Sequence, residues 1–341
     1  MVNGPAVLVR DWNAGPAVEA SSVSTPGLPR TRRRGDRIGD RLLFGVTAFA
    51  AILGVVVVFA IIWRVADGAW PAIKVLKLSF LWHNEWNAVL EKFGARDFII
   101  GTVVTSFGAI LLAAPLSVAI GLFLSELAPP AIRAPIGTLI DMLAAVPSVV
   151  IGLWGIYVLA PFDAQHVQPF LSSFLGWIPI FAHGGDKTES TVFTAIIVLT
   201  IMVIPITSSI CRELFIGVPT ELEEGAIGLG ATRWEMVKTV IVPSVRGGVV
   251  AAIVLGLGRA LGEAIAVTQV IGNFIPLKLS IFSPGDTIAS RVANQYQGAL
   301  SNLQISALIY LALILLVITF LANVAAQRVV KRFEFQRAGG D

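Results

Sequence analysis

The chain has 341 residues, of which 55% are hydrophobic and 14% charged, with a formal net charge of +3 and a mean hydropathy of +0.80. That balance excludes an ordinary soluble globular domain and points to an integral, all-α membrane protein. The small positive charge sits on no soluble domain and gives no reason to expect nucleic acid. One cysteine, Cys211, excludes an intrachain disulfide, and His83, His166 and His183 are too scattered for a metal cluster.

Residues 1–37 are rich in Pro, Gly, Ser and Arg without helical or strand periodicity, and read as a disordered basic tail. Its arginines, from Arg30 to Arg37, fall just before the first apolar run. A secretory signal peptide carries its basic region at the very start, so cleavage is not expected. The first span, about 42–63, is 22 residues without a charge, enough to cross a hydrocarbon core about 30 Å thick. Trp63 and Trp70 mark its far interface. Residues 66–97 follow as a polar, aromatic loop, with Trp82 and Trp86 one helical turn apart as if on a short surface helix.

A second span, about 98–124, contains Pro115, which bends a helix inside a bundle. Ser125 to Pro135 reads as a turn. The third span, about 137–159, carries Asp141 near its start and Pro147 near its middle, where the proline either bends the helix or opens backbone carbonyls toward what the bundle encloses. Residues 164–185 also lack Asp, Glu, Lys and Arg, but Gln165, His166, Gln168, Pro169 and Pro179 make them too polar and interrupted to face lipid, so they read as an external interfacial segment. Further spans lie at about 191–211, 244–271 and 305–327, with a short C-terminal tail at 336–341. Six spans put both termini on one side. That side holds 16 Lys and Arg against eight on the other, which places the termini and the loop before the fifth span in the cytoplasm.

That loop, residues 219–243, is polar. Thr220-Glu-Leu-Glu223 and Thr232-Arg-Trp-Glu235 each fit the capping box, in which threonine and glutamate satisfy reciprocal backbone amides at a helix start. Gly228 and Gly230 allow a tight reversal between two short helices. The expected product is a compact elbow leading straight into the fifth span.

The fifth span carries Arg259 and Glu263, four residues apart and hence on one face of a continuous helix. Arg259 lies 15 residues beyond Ser244, which at about 1.5 Å per residue sets the pair near the bilayer midplane. A charge there costs about 3 kcal/mol even on the lower scales, so such residues face a cavity or a partner. Either the two side chains form a static pair joining helices, or they line a pathway continued by Thr268, Gln269 or Asn273. Arginine presents planar donors suited to an oxyanion. Glu263 would then either occupy Arg259 between substrates or accept a substrate proton. Ala252, Gly256, Ala260 and Ala264 repeat every four residues, as do Gly258, Gly262 and Ala266, so this helix is expected to pack on more than one side.

Within the elbow, Glu224-Gly225-Ala226, three residues, Gly230, nine residues and Val240-x-Val242-Pro243 have the spacing of the EAA loop and resemble the permeases of binding-protein-dependent ABC importers. Gly225 stands where the family has alanine. The stretch GRALGEAIAVTQVIGN, 258–273, is similar to the signature of the phosphate-specific permeases of the PstC type, as are segments at 80–95, 101–106 and 124–155. The resemblance implies a type I ABC importer permease fold in a bacterial cytoplasmic membrane. It implies import of inorganic phosphate, with Arg259 and Glu263 in the pathway, and a coupling loop whose Glu224, Gly225, Ala226, Gly230, Thr232, Trp234 and Pro243 meet an ATPase. Its partners would be a second permease, two cytoplasmic ATPase subunits and an extracytoplasmic phosphate-binding protein. No GxxxxGK[ST] motif occurs in the chain, so ATP and Mg are expected on the ATPase and no cofactor on this chain. Rival readings are a molybdate or sulfate importer, a membrane signalling scaffold that docks a cytoplasmic partner, and a proton-coupled secondary transporter, the last weakened by the lack of a second intramembrane carboxylate beside Glu263.

Overall fold

The computed structural model describes residues 34–182 and 188–338. The tail at 1–33, His183 and the last residues, 339–341, lie outside the described residues. Among the described residues, six helices are long and apolar enough to cross a membrane: Arg41–Leu81, Arg96–Leu127, Ser148–Leu175, Val192–Ile216, Arg233–Gly262 and Asn302–Arg328. Two units are distinguished, divided between Val58 and Phe59. In the first, the described chain is helical and apolar, and almost every described side chain is uncovered.

Helix α1 covers Arg34–Leu76, so residues 34–37, expected in the disordered tail, are helical, and the helix outlasts the expected first span. Beyond Phe59 it is covered where it carries small residues: Ala69 and Ala72 are fully buried, and Gly68 brings the backbone against Ile309. A 3-10 turn, Lys77–Leu81, leads to a two-stranded antiparallel hairpin, β1 (Trp86–Asn87) and β2 (Lys92–Phe93). The expected surface helix bearing Trp82 and Trp86 is therefore absent. Trp86 lies on a strand because its ring packs edge-on against Phe93 and Phe98 and its indole N–H donates to Gln295 (2.7 Å).

Helix α2 (Arg96–Leu122) continues through a π turn to Leu127 and matches the second span. Helix α3 (Pro130–Ala144) is a separate element, broken from α4 (Ser148–Trp154) by Ala145 to Pro147, where Pro147 takes the cap position. The third long helix then continues through π turns, α5 (Ala160–Phe162) and α6 (Gln168–Leu175), instead of ending at 159. Residues 164–175, expected in a separate interfacial segment, are thus part of that long helix. Polar groups along it find partners within the helix and on the next one: Asp163 Oδ2 accepts from Gln168 Nε2 (3.0 Å) and from Thr194 Oγ1 of α7 (2.8 Å), all fully or nearly fully buried.

Helix α7 (Val192–Ile216) starts with Thr191 accepting from Thr194 N and is the most enclosed of the set. It packs along α2 and α10 (Val242–Gly262), with Gly121 seated on Cys211, and Gly248 and Gly256 on Leu214 and Thr207. Small residues let the backbones approach, and dispersion replaces the hydrophobic effect as the source of cohesion in lipid. Helices α8 (Thr220–Gly228) and α9 (Arg233–Met236) form the elbow. After α10 come α11 (Ile265–Val270), a long loop, α12 (Ile288–Gln295) and α13 (Asn302–Ala338), which takes in residues 336–338 of the expected tail.

Candidate functional site

The elbow forms, with one of its two capping boxes. At Thr232 the box is complete: Glu235 N donates to Thr232 Oγ1 (3.3 Å), and Glu235 Oε2 accepts from Thr232 N (2.8 Å). At Thr220 it is absent, because Pro219 takes the cap position and Thr220 becomes the first helical residue. Gly230 has φ +90° and turns the chain between the helices, while Ala231 N donates to Ala226 O (3.1 Å). Nothing lies within 4 Å of the Cβ an alanine would place at Gly225, so glycine there leaves the elbow intact. Ala226 packs inward against a core built around Cys211, Phe215 and Ile241. Leu222, Ile227, Leu229 and Trp234 are exposed, Leu229 at 92% and Trp234 at 71%, alongside the exposed Glu224. Burial and the neighbouring charges of Glu126 and Glu224 push Glu223 above the usual carboxylate range. The outer side of the elbow is thus an apolar and acidic surface. A π turn, Val237–Ile241, joins it to α10, with Pro243 in that helix's first turn.

The fifth span is broken, contrary to the continuous helix expected. Helix α10 ends at Gly262, Glu263 is extended (φ −72°, ψ 117°), and α11 begins two residues later. Arg259 and Glu263 therefore do not share a helix face. Glu263 Oε1 instead accepts from Ala266 N (3.4 Å), at the start of α11. Arg259 is exposed on a stripe with Ala251, Leu255 and Gly262, and among the described residues it forms no hydrogen bond or ion pair. The two small-residue rows divide their work. Ala252, Gly256 and Ala260 are buried within the chain, whereas Gly258 and Gly262 face open space next to Arg259.

The remaining expected pathway residues turn inward. Thr268 Oγ1 donates to Ala264 O (2.7 Å), and Asn273 Nδ2 to Thr268 O (2.7 Å). Asn273, with φ +52°, follows Gly272 at φ +92°, and its Oδ1 accepts from Ser290 Oγ (2.8 Å). Gln269 lies against α4: a Cβ at Gly152 would collide with its Oε1, which among the described residues is buried without a hydrogen-bond partner. Thr268 and Asn273 thus close the end of α11, and Gln269 packs on its neighbour.

Behind Asn273 lies a latch that sequence reasoning missed. Arg291 is buried against Asp286 (2.5 Å), its guanidinium 4.8 Å from the Phe98 ring centroid and 5.9 Å from that of Trp86. Burial pushes Asp286 up to about 6, against the opposing pull of Arg291. Thr102 Oγ1 accepts from Ile288 N (2.9 Å), and Gly101 approaches Asp286 O too closely for any side chain. The available signal was the N-cap Thr287 with Ser290, which marks a short helix after Asp286. A second missed group joins α3 to α7: Asp141 accepts from Ser209 Oγ (2.6 Å) and pairs with Arg212 (3.6 Å). Among the described residues, no three His, Cys, Asp or Glu side chains come close enough to hold a metal ion.

Residues 117–335 match the family of binding-protein-dependent transport system inner membrane components. A phosphate transport system permease protein PstC of Pasteurella multocida is 43% identical over 306 residues, 89% of this chain and 95% of that protein. Phosphate transport system permease protein PstC 2 of Mycobacterium tuberculosis is 37% identical over 313 residues, 90% of this chain and 96% of its own length. Among solved structures, a bacterial alginate ABC transporter, in complex with a periplasmic protein bound to an alginate pentasaccharide, aligns with a TM-score of 0.55 at 19% identity. That alignment covers 86% of this chain and 99% of the matched one, and at this identity it speaks for the fold alone.

Proposed function

The chain belongs to the inner membrane components of binding-protein-dependent transport systems, and on that premise we propose that it is the permease subunit of an ATP-driven importer of inorganic phosphate. One observation carries the reading: the guanidinium of Arg259, unpaired among the described residues, stands on an uncovered stripe of α10, flanked by Gly258 and Gly262 with open space beside them. An unpaired arginine cannot rest against hydrocarbon at mid-depth. The stripe is therefore covered by a second permease subunit, and the substrate passes between the two. The fork of Arg259 takes hydrogen phosphate through paired, charge-assisted hydrogen bonds, while Glu263 and the polar turn around it accompany the ion past the break.

On this reading the exposed Leu229 and Trp234, with the acidic Glu224 beside them, seat the elbow in a cytoplasmic ATPase, one of a pair that holds the ATP and Mg. The termini share that side, and an extracytoplasmic phosphate-binding protein delivers substrate opposite. Inorganic phosphate is favoured over molybdate and sulfate by the identity to phosphate transport permeases over nearly the whole chain. The test is purification through a tag on this chain, identification of what stays bound, and reconstitution into vesicles. ATP-dependent uptake of labelled phosphate, poorly inhibited by molybdate or sulfate, is expected. Stronger inhibition by either oxyanion reassigns the substrate, uptake driven by a proton gradient without ATP makes it a secondary transporter, and absence of flux leaves a scaffold.

A further inference from the structure

The sequence places Arg64 directly after the charge-free run 42–63, and Asp67 one turn further along. Both are exposed, opposite in charge, and among the described residues neither forms a hydrogen bond or ion pair. They stand at the edge of an open cleft of about 470 Å³ between α1, α12 and α13, walled by Gly68, Tyr296, Leu308 and Ile309. The wall is shaped by close approach: a Cβ at Gly68 would lie 2.9 Å from Ile309 Cδ1. Trp63 (70% exposed) and Trp70 (55% exposed) flank the charges along the same helix, and Lys74 lies over the Trp70 ring at 5.4 Å. Exposed tryptophans at the end of an apolar run mark the headgroup level of a bilayer.

An apolar cleft opening at headgroup depth accepts a hydrocarbon chain, and the pair at its rim sets what that chain is attached to. A cation and an anion one helical turn apart, not engaged with each other, complement a headgroup that itself carries both signs. We infer that this cleft binds one diacyl phospholipid whose headgroup joins a phosphodiester to a primary amine. Arg64 holds the phosphodiester oxygens, Asp67 accepts hydrogen bonds from the ammonium, and an acyl chain lies along Leu308 and Ile309. Asp67 repels a purely anionic headgroup. A quaternary amine has no N–H to donate to it. The site is independent of Arg259 and of the substrate proposed for it.

The test is native mass spectrometry of the assembled transporter after equilibration in nanodiscs of phosphatidylethanolamine, phosphatidylcholine or phosphatidylglycerol. Retention of one phosphatidylethanolamine per copy of this chain is expected, with each other lipid held roughly tenfold less, the discrimination that a charge-assisted hydrogen bond supplies. Arg64→Gln and Asp67→Asn should each lower retention by a similar factor. Equal retention of the three lipids by the wild type overturns the inference, and that comparison needs no variant to fold. Variants that retain lipid like the wild type overturn it too, as does Tyr296→Cys, labelled with a benzophenone maleimide and irradiated, if it cross-links to another protein subunit instead of to lipid.

Discussion

Arg291 and Arg259 are two cations in one apolar chain with opposite surroundings. Arg291 is enclosed: Asp286 neutralises it, Phe98 and Trp86 flank it, and the helix that carries it, α12, is tied to α2 and to Asn273. Arg259 stands on an uncovered stripe, and the carboxylate four residues on is used to cap α11. A cation that holds a fold together has its partners inside the chain, since leaving it unpaired in a low dielectric costs several kcal/mol. One that handles a passing anion must find its counter-charge elsewhere.

Removing each charge sharpens that contrast. Arg291→Gln leaves Asp286 buried without its partner and should destabilise the chain by about 3–5 kcal/mol, read as a loss of assembled complex, with partial rescue by a second change, Asp286→Asn. Arg259→Gln should leave assembly and thermal midpoint unchanged while lowering phosphate uptake about a hundredfold, the equivalent of two charge-assisted hydrogen bonds. In Glu263→Gln the cap on α11 is kept and the charge lost, so a smaller fall, roughly tenfold, is expected. Wild-type uptake in both variants would remove them from the pathway. If instead Arg259→Gln lost stability as Arg291→Gln does, the distinction drawn between the two arginines would fail.

A gentler perturbation uses pH. Asp286 takes its proton at about 6 in the folded chain against an ordinary value of 3.8. The folded state therefore binds that proton more tightly than the unfolded state, and the contribution is present at low pH and lost as pH rises through about 6. The thermal midpoint of the wild type, measured relative to Asp286→Asn, should fall by a few degrees between about pH 4.5 and about pH 7. A difference that does not change with pH would show that Asp286 is charged throughout.

Hydropathy was enough for six spans, because a helix in lipid must be apolar over its whole crossing. It misled where a polar side chain finds partners across helices: Gln168 looks unfit for a long apolar helix until Asp163 and Thr191 are set beside it. Capping chemistry located the elbow, yet Pro219 displaced one of its boxes by a single residue, a choice that local spacing does not decide. At the site, Arg259 was legible as a charge in an apolar run. The break at Glu263 was not, since the four-residue rows of small side chains run through it without interruption. Thr268 and Asn273 have the composition of pathway residues, but their bonds to Ala264, Ser290 and each other are tertiary facts.

The break itself divides what the elbow can move from what it cannot. Helix α10 is joined to the elbow through a π turn, whereas α11 is fastened at its far end through Asn273, Ser290 and the Arg291 latch. Between them the extended backbone of Glu263 carries no helical hydrogen-bond ladder to transmit torque. A tilt imposed from the elbow is therefore free to swing the guanidinium while the polar turn beyond it stays still. If Arg259 carries the substrate as proposed, the two halves of the crossing act as crank and bearing, with the carrying group on the crank.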